Sequence, residues 1–84
     1  MSELDLAIYN KIDAILYFDW NPIGIDDLPR SEYYSYIPKI FNLKKEGSNG
    51  EIIAQALCEL EYHILGKPGD IEKCREIAQR IEKF

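Results

Sequence analysis

Apolar residues recur at every third or fourth position along most of this chain, which is the spacing of amphipathic helices. The first such stripe covers residues 4–18, the widest runs from Ile52 to Leu65, and another covers residues 71–81. No strand-like alternation interrupts them. The pattern predicts an all-α, compact four-helix domain, and residues 1–84 have the length of a single domain.

The helix ends are marked by residues that favour capping. Each predicted helix is preceded by a side-chain oxygen that can accept a hydrogen bond from a first-turn N–H group. These residues are Ser2, Ser31, Ser48 or Asn49, and Asp70. Asn21-Pro22 ends the first helix, because the residue before a proline is pushed out of the α region. A structured loop over residues 19–30 is therefore expected between the first and second helices.

Pro38 interrupts the second helical segment, which starts after Ser31 and closes at Gly47. One interpretation is a helix that kinks at residues 34–38, since proline removes a backbone donor from the helix interior. The other is a short turn followed by a helix with Pro38 at its first position. We take the kinked helix as the prediction.

Charge narrows the range of partners. The chain has 15 acidic and 10 basic residues and a net charge of -5, so a nucleic acid would be repelled. No apolar run approaches the roughly 20 residues that span a bilayer, and the first residues are acidic rather than typical of a signal peptide. We therefore expect a cytoplasmic protein that binds neither nucleic acid nor membrane.

Candidate groups for catalysis or metal binding are sparse. Cys58 and Cys74 lie on apolar stripes without metal-binding spacing, so we expect both to be buried, reduced thiols. Glu59 and His63 lie one turn apart on the third helix, but two side chains do not complete a metal site. The prediction is a protein without enzymatic activity, bound metal or cofactor.

Acidic and aromatic residues are concentrated between residues 19 and 36, where Arg30 is the single basic residue. The acids lack the spacing of an EF-hand loop, which favours a hydrated loop over a cation site. Each aromatic ring taken alone is most simply a core residue with its polar tip in water. Taken together, the segment predicts a surface for a protein partner that is itself basic. The predicted contacts are Asp19, Asp26, Asp27, Glu32, Tyr33 and Tyr36.

The single tryptophan stands in the motif Trp20-Asn21-Pro22-Ile23-Gly24. Proline and glycine favour a fixed turn, and a tryptophan ring buries a large apolar area. We expect Trp20 to pack between the first three helices, with Pro22, Ile23 and Gly24 completing a structural motif. The neighbouring carboxylates then point outward.

The same motif carries a resemblance. It is followed by Glu32-Tyr33, by Tyr36-Ile37-Pro38 and by a helix around Ile52-Ile53-Ala54. Over about residues 12–66 the chain resembles a family of short bacterial helical proteins with the pattern W-D/N-P-I-G, then E-Y-x-x-Y-x-P. Asn21 stands where aspartate is commoner in that pattern.

Some proteins of that family lie beside toxin genes, which implies immunity proteins. The resemblance supplies no catalytic residues. Together with the acidic and aromatic segment, it predicts a small protein-binding domain that neutralises a nuclease-type toxin, because carboxylates and tyrosines can occlude a basic cleft by charge complementarity. The alternative is a homodimeric housekeeping or regulatory protein that associates through an exposed helix face and has no toxin partner.

Overall fold

The computed structural model describes residues 2–84, and all regular secondary structure in that range is helical. The four α-helices are α1 (Glu3–Ala14), α2 (Ile37–Lys45), α3 (Gly50–Leu65) and α4 (Ile71–Lys83). The prediction of an all-α, four-helix domain is confirmed. The molecule is a flattened body with extents of 35 × 27 × 17 Å.

The first helical segment is longer than predicted. Ser2 caps α1, because its hydroxyl accepts a hydrogen bond from the Asp5 N–H at 3.1 Å. After α1 the chain continues as a π-helix over Ile15–Trp20. The Asn21 N–H then donates to the Leu16 carbonyl at 3.0 Å, five residues back, as π-helical geometry requires. Trp20 therefore lies on the last helical turn rather than in the loop predicted over residues 19–30, and the helical segment ends at Asn21 as the Asn21-Pro22 pair predicts.

The segment around Pro38 differs from the prediction of a kinked helix. Residues 30–33 form turns, a 3-10 turn follows over Tyr34–Tyr36, and α2 begins at Ile37. Pro38 lies in the first turn of α2, where a missing N–H breaks no helical hydrogen bond. The alternative, a short turn before a helix that starts at the proline, is the correct one, and Ser31 caps no helix.

The α3–α4 hairpin follows its predicted signals closely. Asn49 rather than Ser48 caps α3, since its side chain accepts from the Ile52 N–H at 3.0 Å. Gly66 ends α3 in the left-handed region, with φ of 71°, which glycine adopts without strain. Asp70 caps α4 by accepting from two first-turn N–H groups.

The core is mainly aliphatic and contains three aromatic side chains, Trp20, Tyr33 and Phe41. Its fully buried large side chains are Trp20, Ile12, Leu16, Ile37, Ile40, Ile53, Leu57, Ile81 and Cys74. Four positions of the predicted apolar stripes are less buried than expected. Ile52 and Leu65 of α3 are 46% and 36% exposed. Ile71 is 38% exposed, and Cys58 is only half-buried.

Candidate functional site

Trp20 is buried at the junction of the π-helix, α3 and the turn before α2. Its exposure is 0%, which confirms the prediction of a buried tryptophan. The ring meets Tyr33 and Tyr36 edge-on, with centroids 5.5 and 6.4 Å away. Its Nε1–H donates to Glu61 Oε1 at 2.8 Å. Trp20 thus joins both apolar packing and a buried polar contact, which suits an indole ring.

Glu61 is the residue that the sequence analysis missed. It is 4% exposed, and its carboxyl group accepts hydrogen bonds from Trp20, from the Cys74 thiol at 3.2 Å and from the Asp70 N–H at 3.1 Å. One side chain of α3 therefore contacts the π-helix, α4 and the α4 N-cap. A buried polar group with three donors is well satisfied, and its removal would leave those donors without a partner.

Gly69 leaves the space that Glu61 occupies. A Cβ atom at residue 69 would lie 1.6 Å from Glu61 Oε2 and 2.8 Å from Glu61 Cβ. Such distances are far inside van der Waals contact, so any larger residue would displace the carboxyl group. Glycine is required here by close approach rather than by backbone conformation.

Asn21 holds the start of the loop that follows Trp20. Its φ of 28° is the single positive value of a non-glycine residue within residues 2–84. The Asn21 side-chain oxygen Oδ1 accepts from the Tyr33 hydroxyl at 2.7 Å and from the Gly24 N–H at 3.3 Å. Its amide nitrogen donates to the Ile25 carbonyl at 3.3 Å. An asparagine therefore uses both ends of its amide, which an aspartate could not do.

Tyr33 closes the same loop from the other end. Its hydroxyl accepts from the Ile23 N–H at 3.3 Å while donating to Asn21. The side chain is 2% exposed, and burial raises the pKa of its phenol, which keeps the donor protonated. The structure thus places Tyr33 in the core, and its prediction as a partner contact is wrong for this fold. Tyr36 is half-buried beside it.

Arg30, the single basic residue of the segment, is already occupied. Its guanidinium pairs with Asp13 at 2.7 Å and lies over the rings of Tyr17 and Phe18. The Tyr17 hydroxyl also donates to the Leu28 carbonyl. These contacts hold the second half of the loop against the first helical segment and leave little free positive charge there.

The predicted acidic contacts divide into two groups. Asp19 pairs with Arg80 of α4 at 2.9 Å, so part of its charge is neutralised. Asp26, Asp27 and Glu32 are exposed, and within residues 2–84 none of them has an ion-pair partner. Three of the four predicted carboxylates therefore offer free negative charge to solvent.

Two large hydrophobic residues of this segment are exposed. Tyr34 is 48% exposed and Ile25 is 50% exposed. We define the acidic loop surface as Ile25, Asp26, Asp27, Glu32 and Tyr34. It keeps the predicted combination of carboxylates and an aromatic ring, with Tyr34 in place of Tyr33. Pro22, Ile23 and Gly24 form the start of the loop, where Pro22 and Ile23 are half-buried and Gly24 is exposed.

Elsewhere the surface has two open apolar grooves. One is lined by Ala14, Ile15, Phe18 and Phe84 together with the charged residues Lys11, Asp19 and Arg80, and Phe18 is 67% exposed. The other lies between α3 and the start of α4 and is lined by residues that include Cys58, Tyr62, Pro68 and Ile71.

In the part of the chain that the structure describes, the candidate metal ligands Glu59 and His63 do not form part of a metal site. Glu59 lies 3.6 Å from Lys39, and within residues 2–84 no three metal-ligating side chains come together. Over the same residues, no helix has the length and apolar character needed to cross a membrane.

Comparison with known proteins gives no indication of function, so a function has to be argued from the structure. No family model, curated protein or solved structure matches the chain. The resemblance to short bacterial helical proteins stays a prediction, and the acidic loop surface is the feature from which a function can be argued.

Proposed function

We propose that this chain is a small, acidic, non-enzymatic protein-binding domain that acts in the cytoplasm as an immunity protein. Its partner would be a nuclease-type toxin whose basic substrate cleft it covers. The observation that carries the proposal is the acidic loop surface. There Asp26, Asp27 and Glu32 lie exposed without ion-pair partners in residues 2–84, and Tyr34 of the same segment is exposed as well.

The loop that carries this surface is preorganised. Asn21 and Tyr33 bond to each other and to loop backbone, and Tyr17 holds the Leu28 carbonyl. A loop already fixed in its bound conformation loses less entropy on association than a mobile one. This supports recognition through the loop rather than a merely hydrated connection.

The charge of the surface favours one class of partner. Free carboxylates attract a basic protein surface over roughly the Debye length, about 8–10 Å at physiological salt, and repel nucleic acid phosphates. A toxin cleft that binds nucleic acid is itself basic. The acidic loop surface therefore suits the toxin rather than the toxin's substrate, and binding should weaken as salt rises.

The test compares three forms of the protein. Affinity purification from the native host, followed by mass spectrometry, identifies the partner, and the purified partner is then assayed for nucleic acid cleavage. The parent should inhibit cleavage, and Asp26→Lys/Asp27→Lys should inhibit it much less. Glu46→Lys/Glu76→Lys, which changes the net charge equally at exposed sites outside the loop, should behave as the parent. A partner without nuclease activity would refute the toxin assignment, and equal inhibition by all three forms would refute the loop surface.

The exposed Phe18 favours a second candidate, a homodimer without a toxin partner. Phe18 is 67% exposed in an apolar groove, and a contiguous exposed apolar patch is typical of a protein–protein contact. In this alternative two copies bury Phe18 against each other's groove. Sedimentation equilibrium of the parent and of Phe18→Ser decides it, because only a dimer through this groove would dissociate in the variant.

A further inference from the structure

The α3–α4 hairpin places the two cysteines of the chain opposite each other. Gly50 at the start of α3 lies against the Glu82 side chain near the end of α4, whereas Glu61 bonds the Asp70 N–H at the other end. The helices are thus antiparallel with a fixed register. That register sets Cys58 of α3 facing Cys74 of α4.

The hydrogen bonds of Cys74 give the same placement. Its thiol donates to Glu61 Oε1 at 3.2 Å. Cys58 lies three residues before Glu61, on the same face of α3, because residues three apart on an α-helix are neighbours. The Cys58 side chain is accordingly a direct neighbour of the Cys74 thiol.

The two thiols differ in access. Cys58 is half-buried and lines the open groove beside Tyr62 and Ile71, so a small solute can reach it. Cys74 is 0% exposed beneath it. An oxidant from solution therefore meets Cys58 first, and Cys74 is positioned to react with whatever forms there.

We propose that Cys58 and Cys74 are a peroxide-sensitive dithiol that closes to a disulfide between α3 and α4. This function is independent of the acidic loop surface. The peroxide supplies the oxidising equivalents, and two thiols lose two electrons in total. In the structure both cysteines are free thiols.

The reaction has two steps. The Cys58 sulfur attacks one peroxide oxygen, the O–O bond breaks, and a sulfenic acid and one water form. The Cys74 sulfur then attacks the Cys58 sulfur, the S–S bond forms as the S–O bond breaks, and the departing hydroxide takes the Cys74 proton to form a second water. Burial raises the pKa of Cys74, so the second step should be slow near neutral pH and faster in alkali.

The disulfide would also change the buried contacts. The Cys74 sulfur would no longer donate to Glu61, but the chain between residues 58 and 74 would be closed into a loop. Loop closure restricts the unfolded chain, so the oxidised protein should melt higher by on the order of 10 °C.

The test exposes the full-length folded protein to hydrogen peroxide, removes the oxidant, unfolds the protein and alkylates the free thiols. Digestion and mass spectrometry should then find one peptide pair joined through Cys58 and Cys74, in monomeric protein, and dithiothreitol should restore both thiols. Cys74→Ala should stop at a Cys58 sulfenic acid that dimedone traps. Should that variant fail to fold, the joined peptides and the raised melting temperature of the parent decide alone.

Three results would overturn the proposal. One is that both thiols are still alkylated after peroxide treatment. Another is that Cys58 is oxidised to the sulfinic acid while Cys74 remains free. The third is that the disulfide joins two copies of the chain, which would show that the facing thiols do not react with each other.

Discussion

The two main connections of this fold are both fixed by side-chain hydrogen bonds to the backbone, but they treat acidic groups in opposite ways. In the loop over residues 21–33 and in the linker over residues 66–70, a polar side chain bonds backbone groups of the connection. In the loop this is Asn21, and the carboxylates around it are exposed. At the linker it is Glu61, and its carboxyl group is buried. A fixed connection can therefore either display acidic groups or enclose one.

Trp20 joins the two connections. Its ring packs on Tyr33, which closes the loop, and its Nε1–H bonds Glu61, which holds the linker. The orientation of the acidic loop surface thus depends on a contact with the α3–α4 hairpin, 41 residues away in the chain. The comparison predicts that damage to Trp20 affects both connections, whereas damage to Asn21 or Glu61 begins at one.

Removing the shared residue should have the largest effect. Trp20→Ala deletes a fully buried aromatic side chain, so we expect the free energy of unfolding to fall by about 3 kcal/mol or more. Urea unfolding followed by circular dichroism measures it. Phe18→Ala, an exposed aromatic two residues earlier, is the matched control and should cost far less. Equal midpoints for Trp20→Ala and the parent would show that the two connections do not depend on the indole.

Substitutions at Glu61 and Gly69 should weaken the α3–α4 linker directly, without first changing the loop over residues 21–33. Glu61→Ala leaves buried donors without an acceptor and should cost about 2 kcal/mol. Gly69→Ala should cost about 1–3 kcal/mol, because the new Cβ would overlap the Glu61 carboxyl group. In the Glu61→Ala background, Gly69→Ala should cost less, a coupling of at least about 0.5 kcal/mol in a double-mutant cycle. Additive losses would mean that residue 69 is constrained by something other than Glu61.

Alkaline pH should weaken the linker side first. Burial raises the folded-state pKa of Cys74, so above the unfolded-state pKa of about 8.5 the unfolded chain loses a proton that the folded protein keeps. Stability is then lost as pH rises, by up to about 1.4 kcal/mol per pH unit for this group. The raised pKa of Tyr33 adds a similar loss above about pH 10.

Cys74→Ala isolates the thiol contribution. Urea midpoints measured from pH 8 to 10 should fall less steeply in this variant than in the parent, while Cys58→Ala, which keeps the buried thiol, serves as the comparison. Parallel pH profiles for Cys74→Ala and the parent would assign the alkaline loss to other groups.

The loop side should respond more weakly. Tyr33→Phe removes the hydroxyl that bonds Asn21 and the Ile23 N–H, and we expect a loss of about 1 kcal/mol. Tyr34→Phe alters an exposed phenol and should leave the unfolding midpoint unchanged. An equal loss in both variants would show that the buried hydroxyl does not hold the loop.

Charge reversal on the loop should have the smallest effect on stability and a clear effect on binding. Asp26→Lys/Asp27→Lys should change the free energy of unfolding by less than about 0.5 kcal/mol, because the side chains are exposed. With the partner in hand, this variant should associate more slowly, and the difference should shrink at high salt. Tyr34→Ala or Tyr36→Ala should chiefly speed dissociation. Unchanged rates in all variants would place the interface away from the loop.

The α-helices were predictable because their apolar periodicity and caps agree. Asn49, Gly66 and Asp70 mark the ends of the α3–α4 hairpin as local chemistry requires. The break before α2 was not predictable, since proline is compatible with a kink or with a first turn, and the burial of Tyr33 in the preceding turn is a tertiary contact that the local pattern does not contain. Tertiary contacts decide what local preference leaves open.

The candidate site was predictable in part for a similar reason. Carboxylates in a loop are expected outside, and Asp26 and Asp27 are exposed as predicted. Tyr33 was misplaced because a phenol can be buried once its hydroxyl finds partners, and those partners come from the other end of the loop. Glu61 lies four residues after Leu57 on the apolar stripe of α3. That position was the signal that an acidic residue faces inward.

Trp20 also gives the molecule a built-in optical label. It is the single tryptophan of the chain, and its indole is buried and hydrogen-bonded, so its fluorescence reports on one defined place. Circular dichroism reports on all helices together. Coincident transitions in the two signals would mean that the junction and the helices unfold as one cooperative unit. An earlier fluorescence transition would mean that the loop and its carboxylates detach while the α3–α4 hairpin is still formed.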